Sequence, residues 1–185
     1  MVSVIGIQDR VKIRIETSTS YRGRNARPNW PVLIGFVALA FGAGALGAIF
    51  SPGGSAGAGA WYAALSKPAW APPDRWFGAV WAILYLLMGI AAWLVWRERY
   101  HRKRAAALLA YAVQLMLNAL WAPLFFGARN IGAGLFVVVA LWLAIIWTIR
   151  EFRSVRPVAA GLLAPYLLWV SLAMALNLRI WRLNP

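Results

Sequence analysis

The chain predicts an all-α fold class: an integral membrane bundle of five transmembrane helices. Three observations carry that reading. Hydrophobic residues make up 62% of the chain and charged residues only 13%, against roughly 45–50% and 25% in soluble domains. Five apolar stretches, each close to the roughly 20 residues that a 30 Å hydrocarbon slab requires, succeed one another along the sequence. Lys and Arg gather in the N-terminal tail and in the connectors between those stretches.

The formal net charge is +14. On a soluble protein that balance would point to nucleic acid, but no nucleic-acid motif is visible and the charges flank apolar segments. They read instead as topology signals and contacts with anionic lipid, the bilayer being the first partner. Cysteine is absent, which excludes disulfides and thiolate metal sites.

Residues 1–29 form a basic tail, either disordered or a targeting extension, and residues 30–185 the membrane domain. Within the tail, Val11 to Glu16 alternate apolar and charged residues like a strand, but one strand without partners is not stable. The tail lacks the apolar core of a secretory signal, and Asp9 and Glu16 weaken a transit-peptide reading.

The first span, 31–50, holds no charge. Gly35, Gly42, Gly44 and Gly47 permit close helix approach, with Gly44 and Ala48 forming a small-xxx-small pair. A Ser/Pro/Gly-rich break over 51–59 follows. Residues 61–73 then organise the chain. Pro68, Pro72 and Pro73 prevent continuation of a helix, yet Trp61, Tyr62 and Trp70 make the stretch too aromatic for an ordinary solvated loop. It reads as a stiff lid over an apolar cavity. The competing reading is an interfacial anchor, since Trp and Tyr concentrate at headgroup depth.

The remaining spans are 76–96, 105–126, 131–149 and 158–178, with basic connectors after the second and fourth. The odd number of spans and the lack of an internal repeat argue against a duplicated transporter. The positive-inside rule places the N-terminus on the cytoplasmic side and the C-terminus and first loop opposite.

No Asp or Glu lies within a span, so an ion-coupled pump is not expected. The single histidine, His101, sits in a basic connector away from the lid. No Ser-His-Asp or metal constellation is present, and no His or Cys is placed to ligate a haem iron at the lid. The polar groups at depth are amides and aromatic N–H or O–H groups. Gln114, Asn118, Trp121 and Phe125 share one helical face. Tyr166, Trp169, Ala173 and Asn177 share another, and Trp81, Tyr85 and Met88 a third. These stripes either glue the bundle through interhelical hydrogen bonds or line an apolar pocket suited to a flat hydrophobic ligand.

Taken together, Trp61-Tyr62, Leu65, Lys67-Pro68, Trp70, Pro72-Pro73, Trp81, Tyr85 and Met88-Gly89 resemble the first loop and second helix of the translocator protein / tryptophan-rich sensory protein family. Gln114, Asn118, Leu120-Trp121, Pro123 and Phe125-Phe126-Gly127 resemble its third helix. Pro165-Tyr166, Trp169, Ala173 and Leu176-Asn177 resemble its fifth. The match runs from about Pro31 to the C-terminus. It implies a five-helix bundle, often a homodimer, that binds porphyrins, sterols and synthetic isoquinoline- or benzodiazepine-type ligands beneath the first loop. By the resemblance, the pocket lining includes Tyr62, Pro72, Trp81, Asn118, Trp169 and Ala173. At the mouth, Lys67 or Arg75 can meet the carboxylates of such a ligand without burying charge. No cofactor is required; a porphyrin or haem-type molecule enters as ligand. One departure bears on sterols. Residues 176–182 read LNLRIWR and lack the tyrosine of the animal sterol-recognition stretch, so tight cholesterol binding is not expected. Residues 95–102 fit the loose sterol pattern formally.

Three functions compete. The first is a regulatory or transport protein that binds tetrapyrroles. The second is an enzyme that degrades bound porphyrin in light, with Trp81 and Trp169 as its implied catalytic residues. The third is a structural or assembly membrane protein.

Overall fold

The computed structural model describes residues 29–73 and 75–185. The basic tail and its strand-like stretch lie outside the described residues. Contacts divide the chain into Met1–Trp30 and Pro31–Pro185, and the second unit holds the bundle.

The described residues form α1 (Trp30–Phe50), α2 (Gly59–Ala64), α3 (Arg75–Arg97), α4 (Arg104–Ala122), a π-helical turn (Pro123–Gly127), α5 (Ile131–Val155), α6 (Pro157–Leu162) and α7 (Ala164–Leu183). Among these residues no strand occurs, and five helical segments are long and apolar enough to cross a membrane.

Sequence boundaries and helix ends differ where hydropathy and backbone geometry part company. The fourth span was expected to stop at residue 149, yet α5 runs on through Arg150, Glu151 and Arg153 to Val155. Hydropathy marks the length of the hydrocarbon, while charged residues remain good helix formers beyond it. The helix stops where Arg156 adopts an extended conformation (φ −149°, ψ 100°), as the residue before a proline does. α7 likewise continues past residue 178 to Leu183. The third and fifth spans are not single α-helices. Pro123 opens a π turn closed by the Ala128 amide donating to the Pro123 carbonyl at 2.8 Å. Pro165, at the start of α7, follows a break at Leu163. In both places the missing proline N–H interrupts the hydrogen-bond ladder. At the other end of the turn, Asn130 caps α5 by accepting from the Ala133 amide at 2.9 Å.

α5 packs most closely against α4 and α7, and α3 packs against α4 and α6. α1 is more loosely held, with Ala40 as its one buried residue. It meets α3 at glycines: a side chain at Gly44 would collide with the Tyr85 ring, and a Cβ on Gly89 would come within 2.7 Å of the Val37 Cα. Two contacts fix which connectors share an end. Arg156 pairs with Glu98 at 2.8 Å, joining the second and fourth connectors. Ser66 and Asn184 exchange two hydrogen bonds of 3.0 Å, joining the first loop to the C-terminus at the opposite end.

Candidate functional site

The stretch 61–73 is part helix and part loop. Its first residues complete α2, and every proline falls after Ala64, so the helix-breaking argument applies only to the second half. α2 lays two rings on the bundle. Tyr62, 6% exposed, meets Phe126 edge-on at 5.3 Å, and Trp61 meets Phe125 at 5.7 Å. Lys67 places its ammonium 4.0 Å from the Tyr62 ring centroid. Asn184 holds the next turn. Its Oδ1 accepts from the Ser66 amide while its Nδ2 donates to the Ser66 carbonyl and to Ile180. Trp70 projects outward, 49% exposed, which suits the interfacial-anchor reading for that residue alone.

Tyr62 forms part of the wall of a cavity of about 550 Å³, to which every long helix contributes. Phe41, Gly44 and Ala48 come from α1; Phe77, Trp81 and Tyr85 from α3; Asn118 and Trp121 from α4; Val138 and Leu141 from α5; Trp169 and Ala173 from α7. Among the described residues, none that lines it is charged. The volume lies within the roughly 300–1,000 Å³ typical of small-molecule sites.

A neutral hydrogen-bond chain crosses this wall. The Tyr85 hydroxyl donates to Asn118 Oδ1 at 2.9 Å, and Asn118 Nδ2 donates to the Tyr166 hydroxyl at 3.0 Å. Asn118 thereby ties α3, α4 and α7 together. Both readings of this amide hold at once: it glues the bundle and it faces the cavity. Trp81 stacks on Tyr85 (5.4 Å, 24°) and meets Tyr166 edge-on at 6.2 Å. Trp169 meets Phe77 edge-on at 5.5 Å, and its buried Nε1 has no hydrogen-bond partner.

Of the residues expected to form the pocket, Tyr62, Trp81, Asn118, Trp169 and Ala173 line this one cavity. Pro72 does not; it lies in the half-buried loop beyond α2. Lys67 stands outside the wall over Tyr62, and Arg75 opens α3 on the exposed surface. Gln114, expected on the same stripe as Asn118, faces elsewhere. Its Nε2 lies 4.0 Å from the Met88 sulfur and its Oε1 has no partner. Asn177, with its amide oriented so that each group meets a partner, donates to the Ile131 carbonyl (3.1 Å) and accepts from the Leu135 amide (3.2 Å). It is bundle glue.

The sequence reading missed the contribution of α1 and the bracket at Asn184. The glycines of α1 were legible only as sites of close approach, and the same small side chains also leave room for a cavity. Among the described residues no group of three His, Cys, Asp or Glu side chains could hold a metal ion.

The TspO/MBR family profile matches residues 36–182. Protein CrtK of Rhodobacter capsulatus is 45% identical over 151 residues, covering 81% of this chain and 90% of that protein. The translocator protein of Ovis aries is 39% identical over 160 residues, 85% of this chain and 92% of its own. The tryptophan-rich protein TspO of Chlorobaculum tepidum is 39% identical over 150 residues, 80% and 93% respectively.

Proposed function

Because the chain belongs to the TspO/MBR family, we propose that it binds porphyrins and related flat, apolar tetrapyrroles in the cavity beneath the first loop, in a regulatory or transport role. The observation that carries the reading is the aromatic cavity, uncharged among the described residues, whose walls include Trp81 and Trp169 from different helices. A porphyrin macrocycle is flat and aromatic, and ring contacts add about 0.5–1.5 kcal/mol each beyond area burial. Its two carboxylates sit at one edge. Left at the wet mouth they avoid the cost of a buried charge, and Lys67 or Arg75 meets them there. The names translocator and sensory among the relatives support a role in moving or reporting a ligand.

Titration of the detergent-purified chain with protoporphyrin, read by tryptophan quenching, tests the reading. Saturable quenching is expected, and its absence sinks the proposal. The Trp81→Phe/Trp169→Phe double variant keeps two rings and loses two indole N–H groups. It is expected to bind within about tenfold of wild type, a difference of about 1.4 kcal/mol. Illumination separates the enzymatic alternative. A new absorbing product that forms with wild type and not with the double variant assigns light-driven breakdown to these indoles. Unchanged porphyrin supports binding alone. A cholesterol analogue titrated beside it is expected to bind weakly.

We also propose that the N-terminus is cytoplasmic, that the first loop and C-terminus lie opposite, and that the chain pairs as a homodimer. The basic connectors joined by Glu98 and Arg156 support that orientation. A cysteine introduced at Ser66 should react with an impermeant probe only from the non-cytoplasmic side; labelling only from the cytoplasm would reverse the topology. Crosslinking in native membranes tests the dimer.

A further inference from the structure

At the connector end, two guanidinium groups converge on one indole. The Cζ of Arg99 lies 5.4 Å and that of Arg104 5.5 Å from the Trp96 ring centroid. Cation–π contact favours each individually, and an anion close to both would relieve the repulsion between the two like charges. No carboxylate does so: the one ion pair among the described residues joins Glu98 to Arg156. The buried Nε of Arg104 has no hydrogen-bond partner. Arg104 is also the first residue of α4, a helix with no acidic residue in its first turn and no side-chain cap. Its amide dipoles therefore add positive potential where a negative charge is favoured.

The flanking residues carry the same sign. Arg102 and Lys103 lie between the two arginines in sequence, and Arg97 sits 4.8 Å over the neighbouring Trp93 ring. Trp96 is the last aromatic residue of a 23-residue apolar span, at the depth where indoles meet headgroups. An oxyanion here has guanidinium forks to accept from and acyl chains that continue beside the helices.

We propose that Trp96, Arg99 and Arg104 form a binding site for the headgroup phosphate of an anionic phospholipid, distinct from the cavity at the lid end. Guanidinium is the donor suited to a phosphate, because its planar fork offers paired N–H groups. A net anionic lipid is favoured over a zwitterionic one, since the site lacks any acid to meet a choline or ethanolamine cation.

The test is a titration of the detergent-purified full chain with mixed micelles containing phosphatidylglycerol, micelles containing only phosphatidylcholine, or inorganic phosphate. Native mass spectrometry counts retained lipid, and thermal unfolding reports the shift on binding. Wild type is expected to retain phosphatidylglycerol saturably and to ignore phosphatidylcholine. Arg99→Gln/Arg104→Gln should weaken retention at least about tenfold, as loss of charge-assisted hydrogen bonds does. Arg150→Gln/Arg153→Gln removes the same charge at the same end and should change it less than about threefold, the response of screened surface charge. Equal losses in the two variants would show that only the general field matters and overturn the site. Saturation by inorganic phosphate as tight as by lipid would overturn the headgroup assignment. Should the Gln pair not fold, Arg99→Lys/Arg104→Lys keeps both charges without the forks. A clear loss with the Lys pair supports the site, and wild-type retention overturns it.

Discussion

The lid half and the connector half of the bundle are built from the same kinds of side chain and end up opposite in character. Around the connectors, Tyr111 stacks on Phe152 (6.2 Å, 26°) and meets Phe36 edge-on, with Val95, Ala107 and Ala159 fully buried beside them. Rings there fill one another's space, and alanines let the helices close. Around the lid, Trp81, Tyr85, Trp121 and Trp169 stand around a volume of about 550 Å³ that α1 does not fill. The difference lies less in the aromatic residues than in their opposing residues. Opposite the lid rings, α1 presents Gly44, Gly47 and Ala48, and α1 buries little of its own surface. A bilayer protein gains association energy chiefly from packing and interhelical hydrogen bonds, so an unfilled half needs a different source of order. The Tyr85–Asn118–Tyr166 chain supplies it.

The largest effect that separates the halves is expected from Phe152→Ala. Phe152 is completely buried in the solid half, and deletion of such a ring costs about 3–5 kcal/mol, because the cavity left behind collapses only in part. Thermal unfolding in detergent should show this loss, while porphyrin affinity of the folded fraction changes less than about threefold, as for distant, independent sites. Lost binding with little change in stability would mean that the two halves are not independent.

A smaller effect is expected from Asn118→Leu in the hollow half. The substitution keeps the volume and removes both hydrogen bonds, leaving two tyrosine hydroxyls without this partner. Interhelical polar contacts in membranes are worth roughly 0.6–2 kcal/mol, so unfolding should shift by about that amount. Binding should fall as well, because Tyr85 carries the Trp81 stack. A variant as stable as wild type with intact porphyrin binding would remove the hydrogen-bond chain from the account of the cavity.

The contrast between the halves was only partly legible in the sequence. Span number followed from hydropathy because the bilayer fixes helix length. Trp81, Asn118 and Trp169 were legible as inward-facing because each shares a helical face with other aromatic or amide residues. Helix spacing could not separate Gln114 from Asn118. They are four residues apart and on one face, yet only Asn118 reaches the cavity wall, since the tilt and depth of neighbouring helices decide that. The bracket between Ser66 and Asn184 joins residues 118 positions apart, and no local pattern announces such a pair. Pro72 was placed in the lining by resemblance. The short helix α2 instead carries Tyr62 to the cavity wall and leaves the proline segment outside it.

The smallest effect is expected where the connector end looks most strongly tied. The Glu98–Arg156 pair is short, at 2.8 Å, but its side chains are 35% and 47% exposed. Water solvates both partners when they separate, and holding two long side chains in one geometry costs entropy. Such pairs are worth about 0–1 kcal/mol and are screened by salt. Glu98→Gln should therefore lower stability by less than about 1 kcal/mol at low salt, and the gap to wild type should close at high salt. The neighbouring rings and alanines are untouched by the change, so the solid half should unfold as cooperatively as before. A loss comparable with that of Phe152→Ala, and persisting at high salt, would place the order of this half in its charges rather than in its packing.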